Sequence, residues 1–157
     1  MTQVLFVCTG NTCRSALAEA IARAAAHARG IEAVTFGSAG TSAWDGSAAS
    51  DGAILVGIER QLELNLHRSR ALTRDLVDAA DLVLCMGDHH VERALVLGGE
   101  GKTFLLTDYA DRRMTGRSVP DPFGGGLDEY RTTADDLERL VGHVLDRLQE
   151  PPPADDA

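Results

Sequence analysis

Residues 4–15 have the sequence VLFVCTGNTCRS, in which an apolar run gives way to a short polar loop. The apolar run predicts a strand that is buried on both faces, as the strands of a parallel sheet are. After Ser15, apolar residues recur at helical spacing as far as Gly30, which is well placed to end a helix. These residues therefore predict a strand, a tight loop and a helix in direct succession.

The rest of the chain continues this alternation of short apolar runs with helical patterns. Further strands are predicted at 33–37, 81–86 and 103–106. Helices are predicted at 47–64, 73–80 and 88–97. A last helix is predicted to begin near Thr133, with Asp136 at the spacing of a capping box.

Residues 108–126, between the last predicted strand and the last predicted helix, are polar and rich in glycine, which predicts a long loop. Loops of this length are usually functional. Alternating strands and helices predict an α/β fold, a three-layer sandwich with a four-stranded, mostly parallel sheet. In such a fold, binding sites lie beyond the carboxyl ends of the strands.

The length and composition are those of one folded domain. The chain has 157 residues, of which 44% are hydrophobic and 25% are charged. These values are typical of a globular protein and leave no room for a second domain. We predict a single domain over residues 1–150, followed by a flexible tail, PPPADDA, over residues 151–157.

Charge and cysteine content disfavour several classes of function. Acidic residues outnumber basic residues by 24 to 15, and a net charge of −9 disfavours binding to nucleic acid phosphates. No apolar run approaches the roughly 18–20 residues that span a bilayer, and residues 1–6 lack the features of a signal peptide. Three cysteines are too few for a disulfide framework. We therefore expect a cytoplasmic monomer without nucleic acid or membrane partners.

The polar loop combines a nucleophile with groups that bind an anion. Five residues separate Cys8 from Arg14, and a loop of that size entering a helix can direct successive backbone N–H groups at one tetrahedral anion. Arg14 would add a bidentate guanidinium, and the same positive field favours the thiolate form of Cys8, which is the nucleophilic form. Gly10 and Asn11 tolerate the left-handed backbone that such a loop needs, and Ser15 could donate to the sulfur. The alternative is a buried core thiol beside an ordinary turn.

A phosphoryl-transfer reaction at Cys8 also needs a proton donor for the leaving group. Asp121 is the candidate, because it lies in the sequence VPDPFGG at 119–125 and the flanking prolines stiffen the backbone that carries it. Taken alone, an Asp-Pro pair is more often a simple turn.

With these motifs, the sequence resembles the low-molecular-weight protein tyrosine phosphatase family over nearly its whole length. The Cys-x5-Arg-Ser loop near the N-terminus, Ser38-Ala39-Gly40 after the second strand and an Asp-Pro-aromatic motif near the C-terminus occur in the family's order. The resemblance implies a flavodoxin-like fold with a phosphate-binding loop after the first strand. It implies that Cys8 forms a phosphocysteine, that Arg14 binds phosphate and that Asp121 acts as acid and then as base. It implies phosphorylated proteins as substrates and neither a metal nor a cofactor.

Two departures from the family pattern bear on the substrate. Thr12 stands where many tyrosine phosphatases of the family have Ile, and Gly124 stands where they have a second aromatic residue. This combination resembles the bacterial protein arginine phosphatase branch. The resemblance is physically reasonable, because a phosphoguanidinium is slim and polar and a bulky apolar wall would offer it little. Trp44 favours the alternative, phosphotyrosine, although an indole also stacks on a guanidinium. The other departure, Ala16 in place of a proline, affects only the start of the helix.

The residues that we expect to contact phosphate or substrate are Thr9, Gly10, Asn11, Thr12, Cys13, Ser15, Trp44 and Phe123. The resemblance also implies a redox role for Cys13, which would form a reversible disulfide with Cys8 and protect the nucleophile from overoxidation. The alternative for Cys13 is a packed thiol.

For the remaining cysteine and for three histidines we expect structural rather than catalytic roles. Cys85 is expected in the core. His89 and His90 are expected at an exposed helix start, and His67, Arg68 and Arg70 on the solvated surface.

Two rival functions remain. An arsenate reductase could use Cys85 as a relay, but the helix after it has no second cysteine and Asp121 would have no use. A non-catalytic phosphate-binding module would not need Asp121 either.

Overall fold

The computed structural model describes residues 1–151, which form four strands and six helices. The strands are β1 (Thr2–Cys8), β2 (Val34–Gly40), β3 (Leu82–Cys85) and β4 (Thr103–Leu105). The helices are α1 (Arg14–Ala28), α2 (Asp51–Glu59), α3 (Arg74–Ala79), α4 (Asp88–Val96), α5 (Leu106–Asp111) and α6 (Leu127–Leu148). Of the predicted tail, residues 152–157 lie outside the described part of the chain. The proposed domain boundary at residue 150 stays a prediction.

The four strands form one parallel sheet in the order β2-β1-β3-β4. This order is that of a flavodoxin-like fold, so the predicted fold class is confirmed. The central strand β1 pairs with β2 on one side and with β3 on the other, with Val7 opposite both Ala39 and Cys85. All carboxyl ends therefore meet at one edge of the sheet, where β1 ends at Cys8.

Alternate residues of β1 pack into two separate cores. Val4, Phe6 and Cys8 contribute to a core shared with α1, α2 and α6, whereas Leu5 and Val7 contribute to a core shared with α3 and α4. Burial of a large apolar side chain such as Phe6 stabilises the fold by about 1.5–3 kcal/mol. Helices on both faces of the sheet give the predicted three layers. No helix among residues 1–151 has the length and hydropathy needed to cross a membrane.

The last helix begins earlier than its sequence pattern predicts. Helix α6 starts at Leu127 rather than near Thr133, and Thr133 is buried in its interior. Leu127 and Tyr130 lie three residues apart and both pack against the core, which extends the helix by nearly two turns. The polar residues between them hide this short apolar face in the sequence.

Three other boundaries were also wrong. Strand β2 runs to Gly40 and so contains Ser38-Ala39-Gly40, which were expected to follow it. Helix α2 covers Asp51–Glu59 rather than 47–64, because the Ser50 hydroxyl caps it by accepting a 3.3 Å hydrogen bond from the Ala53 N–H, and because Gln61 has a left-handed backbone. The stretch predicted as a loop from residue 108 includes part of α5, whose Leu106 and Ala110 are buried. The loop that carries Asp121 is therefore residues 112–126.

Two helical glycines provide a matched test of the packing of α6. In Gly52→Ala, the new Cβ would lie 2.4–2.6 Å from three ring atoms of Tyr130, so we expect overpacking to lower the free energy of unfolding by about 1–3 kcal/mol. In Gly142→Ala, the nearest atom is 3.8 Å away, so we expect better helix propensity to raise it by up to about 1 kcal/mol. Thermal unfolding monitored by circular dichroism measures both. An equal rise in Tm for the two variants would show that Tyr130 is not held against α2.

Candidate active site

The side chain of Cys8 lies at the end of β1, and only 2% of the residue is exposed. Its Sγ is 2.9 Å from the Ser15 Oγ and receives a 3.3 Å hydrogen bond from the backbone N–H of Asn11. The Asn11 side-chain amide in turn donates to the Ser15 Oγ at 2.7 Å. Because that oxygen already accepts from Asn11, its own proton is free to be donated to the sulfur. Two hydrogen-bond donors therefore converge on Sγ.

Asn11 is fully buried beneath the loop and has a left-handed backbone, with φ of 57°. Its carbonyl accepts a 2.7 Å hydrogen bond from His67 Nε2, and its Oδ1 accepts a 3.0 Å hydrogen bond from the Arg70 N–H. The expectation of a solvated surface group is therefore wrong for His67, whereas Arg70 is exposed as expected and contacts Asn11 only through its backbone N–H. Asn11 supports the loop from behind rather than lining the pocket.

Backbone N–H groups elsewhere in the chain also donate to the carbonyl oxygens of the loop. The N–H groups of Thr41, Ser42, Ser50 and Leu17 donate to the carbonyl oxygens of Cys8, Thr9, Thr12 and Cys13, respectively, at 2.9–3.0 Å. In a planar trans peptide, the N–H points opposite to the C=O. Five peptides of the loop, including that of Asn11, therefore direct their N–H groups to the inside of the loop. This is the backbone arrangement that binds a tetrahedral anion.

Arg14 begins α1 and is almost completely buried, with 6% of the residue exposed. Its Nη1 donates a 3.0 Å hydrogen bond to the carbonyl of Val119, and its Nη2 lies 3.5 Å from the Asp121 Oδ2. Val119 is held in turn, because its N–H donates to the carbonyl of Met86 at 2.8 Å, just beyond β3. The loop 112–126 and the phosphate-binding loop are thus joined through Arg14.

Asp121 is presented by this loop with half of its side chain exposed. Its Oδ1 accepts a 3.0 Å hydrogen bond from the backbone N–H of Phe123, which fixes the carboxylate relative to the loop. The 3.5 Å separation from Arg14 is long for a charge-assisted hydrogen bond and solvent reaches the carboxylate, so Asp121 is not bound tightly to Arg14. It remains available to a group that enters the pocket.

The predicted site residues meet around one pocket of about 320 Å³. Its walls include Trp44 and Phe123, which are 84% and 70% exposed and are free to contact a ligand. Of the residues predicted from the sequence, those that line the pocket are Cys8, Thr9, Gly10, Thr12, Cys13, Arg14, Trp44, Asp121 and Phe123. Asn11 and Ser15 lie behind Cys8 instead.

Cys13 lines the same pocket, but its thiol is engaged. Its Sγ is 3.2 Å from the Ser50 hydroxyl and 3.4 Å from the hydroxyl of Tyr130. Burial and the contact with Cys13 raise the pKa of Tyr130 to about 12, so the phenol stays protonated. The sequence pattern did not single out Ser50 or Tyr130, and only the fold brings them to the loop.

Two further side chains lie near this edge of the sheet. His90 is fully buried rather than exposed, and its Nε2 is 2.9 Å from the Thr9 Oγ1. The expectation of an exposed helix start holds for His89 alone, because the first turn of α4 lies against the phosphate-binding loop and turns His90 inward. Cys85 is fully buried in the core on the opposite face of the sheet from Cys8, as predicted, and burial raises the pKa of its thiol. Within residues 1–151, no cluster of three or more His, Cys, Asp or Glu side chains could hold a metal ion.

Comparison with known proteins agrees with this geometry. The sequence pattern of the family described as low molecular weight phosphotyrosine protein phosphatase matches residues 3–153. A protein-arginine-phosphatase of Bacillus subtilis is 38% identical, over 94% of this chain and 97% of its own. The low molecular weight protein-tyrosine-phosphatase PtpB of Staphylococcus haemolyticus is 34% identical, over 90% of this chain and 96% of its own.

A solved structure is equally similar. The YwlE arginine phosphatase, as an active-site Cys→Ser mutant with a phosphorylated serine, superposes with a TM-score of 0.89 and is 36% identical, covering 95% of this chain and 97% of its own. The sheet order, the loop between β1 and α1 and the sequence match thus lead to one conclusion: the chain belongs to the low molecular weight phosphotyrosine protein phosphatase family.

Proposed function

We propose that this protein is a cysteine-dependent phosphatase that hydrolyses phosphorylated protein side chains through a phosphocysteine. The observation that carries the proposal is the Cys8 sulfur, 2.9 Å from the Ser15 hydroxyl, at the base of a loop whose N–H groups face inward. Family membership and the phosphorylated active-site serine of the YwlE mutant support this assignment.

In the first step, the phosphate binds to the inward N–H groups and to the guanidinium of Arg14. The Cys8 thiolate attacks phosphorus, an S–P bond forms and the bond from phosphorus to the leaving nitrogen or oxygen breaks. Protonated Asp121 donates its proton to that leaving atom. The products are a phosphocysteine, the dephosphorylated side chain and the Asp121 carboxylate.

In the second step, the Asp121 carboxylate takes a proton from water as the water oxygen attacks phosphorus. The S–P bond breaks and inorganic phosphate leaves. Cys8 departs as a thiolate, which the Ser15 hydroxyl and the Asn11 N–H stabilise as its charge develops. The second step restores both groups to the state in which they began.

We favour phosphoarginine as the substrate. Thr12 presents a hydroxyl on the pocket wall, and Gly124, with φ of 83°, adds no side chain to the loop that carries Asp121. A narrow, polar wall suits a phosphoguanidinium, and the B. subtilis relative is named for that substrate. Phosphotyrosine is the alternative, supported by the exposed rings of Trp44 and Phe123 and by the name of the S. haemolyticus relative.

We also propose a cellular location, an oligomeric state and a redox regulation for this activity. We place the activity in the cytoplasm, on a monomer that acts on phosphorylated proteins and has no nucleic acid, membrane or cofactor partner. The protective disulfide stays a prediction: peroxide would oxidise Cys8 to a sulfenic acid, and the Cys13 thiol would leave Ser50 and Tyr130 to displace water from it.

Replacing the nucleophile tests the proposed chemistry. We expect Cys8→Ala and Cys8→Ser to lower turnover of a phosphorylated peptide by roughly 10⁴-fold or more, because nothing else in the pocket replaces the thiolate. After incubation with substrate, intact-mass spectrometry should find bound phosphate on Cys8→Ser and none on Cys8→Ala. Turnover above about one hundredth of wild type in a folded variant would exclude Cys8 as the nucleophile.

The acid is tested by Asp121→Asn. An asparagine oxygen can still accept the Phe123 N–H, so the loop should keep its shape while the proton donor is lost. We expect kcat to fall by about 10²–10⁴-fold, and by less for an aryl phosphate whose leaving group needs no proton. Asp128→Asn, at a well exposed position on α6, is the matched control and should change neither value. An unchanged kcat in Asp121→Asn would place the acid elsewhere.

The pocket wall is tested by Thr12→Ile, compared with Thr12→Val. Isoleucine adds apolar surface for a phenyl ring and removes a hydrogen-bonding group from a guanidinium. We therefore expect the ratio of kcat/KM for phosphoarginine to that for phosphotyrosine peptides to fall at least about tenfold. Valine removes the hydroxyl at nearly constant volume, so Thr12→Val measures the effect of lost polarity without the effect of added size. If the wild type prefers phosphotyrosine and Thr12→Ile leaves the ratio unchanged, phosphotyrosine is the substrate.

A further inference from the structure

A buried histidine that the proposed chemistry does not use lies behind the phosphate-binding loop. His90 belongs to the first turn of α4 and is 0% exposed, and its Nε2 is 2.9 Å from the Oγ1 of Thr9. Thr9 directly follows Cys8, and its side chain lines the pocket. Helix α4 packs on the opposite face of the sheet from α1, so His90 connects the loop to the layer that otherwise has no part in the site.

The imidazole of His90 is neutral and only half satisfied. Burial lowers its pKa to about 3, and the nearby Arg14 guanidinium acts in the same direction, against a smaller opposing effect of Asp121. Its Nδ1 is buried and has no hydrogen-bond partner among residues 1–151. An unpaired buried polar atom destabilises a fold, and a leucine of similar volume would avoid that cost. The presence of histidine here therefore indicates that the hydrogen bond between its Nε2 and the Thr9 hydroxyl has a function.

The contact with Thr9 differs from the other supports of the loop. Most of the other supports hold backbone carbonyl groups, and the Arg70 N–H holds the buried side chain of Asn11, whereas His90 holds the side chain of a residue that lines the pocket. Thr9 is β-branched, and its side-chain rotamer is coupled to its backbone angles. Fixing the Thr9 hydroxyl therefore restricts the peptide that joins Cys8 to the loop, and with it the first inward N–H groups.

We propose that His90 is a positioning residue that acts through the Thr9 hydroxyl and holds the first turn of the phosphate-binding loop in its anion-binding conformation. This role rests on the proposed phosphatase function, but its effect on phosphate binding can be measured without any turnover of substrate. Exposed His89 is the rival, because its Nε2 lies 3.5 Å from the same hydroxyl. The shorter distance and the burial assign the role to His90.

The test compares His90→Leu, His90→Gln and Thr9→Val with His89→Gln as the matched control. Titration with inorganic phosphate, followed by NMR, measures binding without turnover, and kcat/KM for a phosphorylated peptide is measured per folded molecule. Loss of one hydrogen bond should weaken phosphate binding and lower kcat/KM by about tenfold in His90→Leu and in Thr9→Val. His90→Gln should recover most of both, since its amide can place a donor or an acceptor for the Thr9 hydroxyl near the position of Nε2. The double variant Thr9→Val/His90→Leu should be no worse than either single variant.

Three results would overturn the proposal: wild-type phosphate binding in folded His90→Leu, losses that multiply in the double variant, or an equal loss in His89→Gln. If His90→Leu does not fold, Thr9→Val decides, because it removes the hydroxyl and leaves the packing of His90 in place. Wild-type phosphate binding in Thr9→Val would then exclude the role. A wild-type protein that binds phosphate but hydrolyses no phosphorylated peptide would refute the proposed function, while the binding comparison would still decide the role of His90.

Discussion

Five of the six carbonyl oxygens of residues 8–13 accept hydrogen bonds from behind the loop, and the chemistry proposed for this protein depends on that constraint. In an isolated loop of this kind, the carbonyl groups would have no common orientation. Asn11 would also not keep its left-handed backbone conformation without these contacts. Here the donors that fix the loop lie on other segments of the chain, at Thr41, Ser42, Ser50 and His67. The anion site exists because five peptides are oriented together, and that orientation exists only in the folded protein.

This dependence explains why the sheet topology matters for the site. Strand β2 lies directly beside β1, so its end delivers Thr41 and Ser42 to the loop. The approach is so close that a Cβ on Gly40 would lie 2.4 Å from the Thr9 carbonyl oxygen and 2.9 Å from the Asn11 nitrogen. Only glycine fits there, whatever backbone angles it adopts. A side chain at this position would therefore disturb phosphate binding by displacing the loop backbone at Thr9 and Asn11.

The parts of the site that the sequence predicts are those that depend on local spacing. Cys8, Arg14 and Ser15 lie within one short loop, and the strand and helix around it follow from apolar periodicity, so their arrangement could be inferred in advance. Asp121 was found from its flanking prolines. His90 and Tyr130 could not be found, because nothing in their neighbourhood in the sequence distinguishes a buried first turn from an exposed one. Their positions follow from where α4 and α6 meet the loop, which is a property of the packed layers.

Different parts of the pocket carry the reaction and select the substrate. Arg14 is nearly buried, and charges elsewhere on the surface are screened beyond about 8 Å, so the net charge of −9 acts weakly inside the pocket. Discrimination between phosphoarginine and phosphotyrosine therefore depends on the residues of the pocket wall, Thr12, Trp44 and Phe123. The two aromatic side chains are exposed and take no part in the core, so they can change without cost to the fold. The groups that hold the loop carbonyls have no such freedom. One family can thus keep a single reaction while its relatives carry the names of arginine and of tyrosine phosphatases.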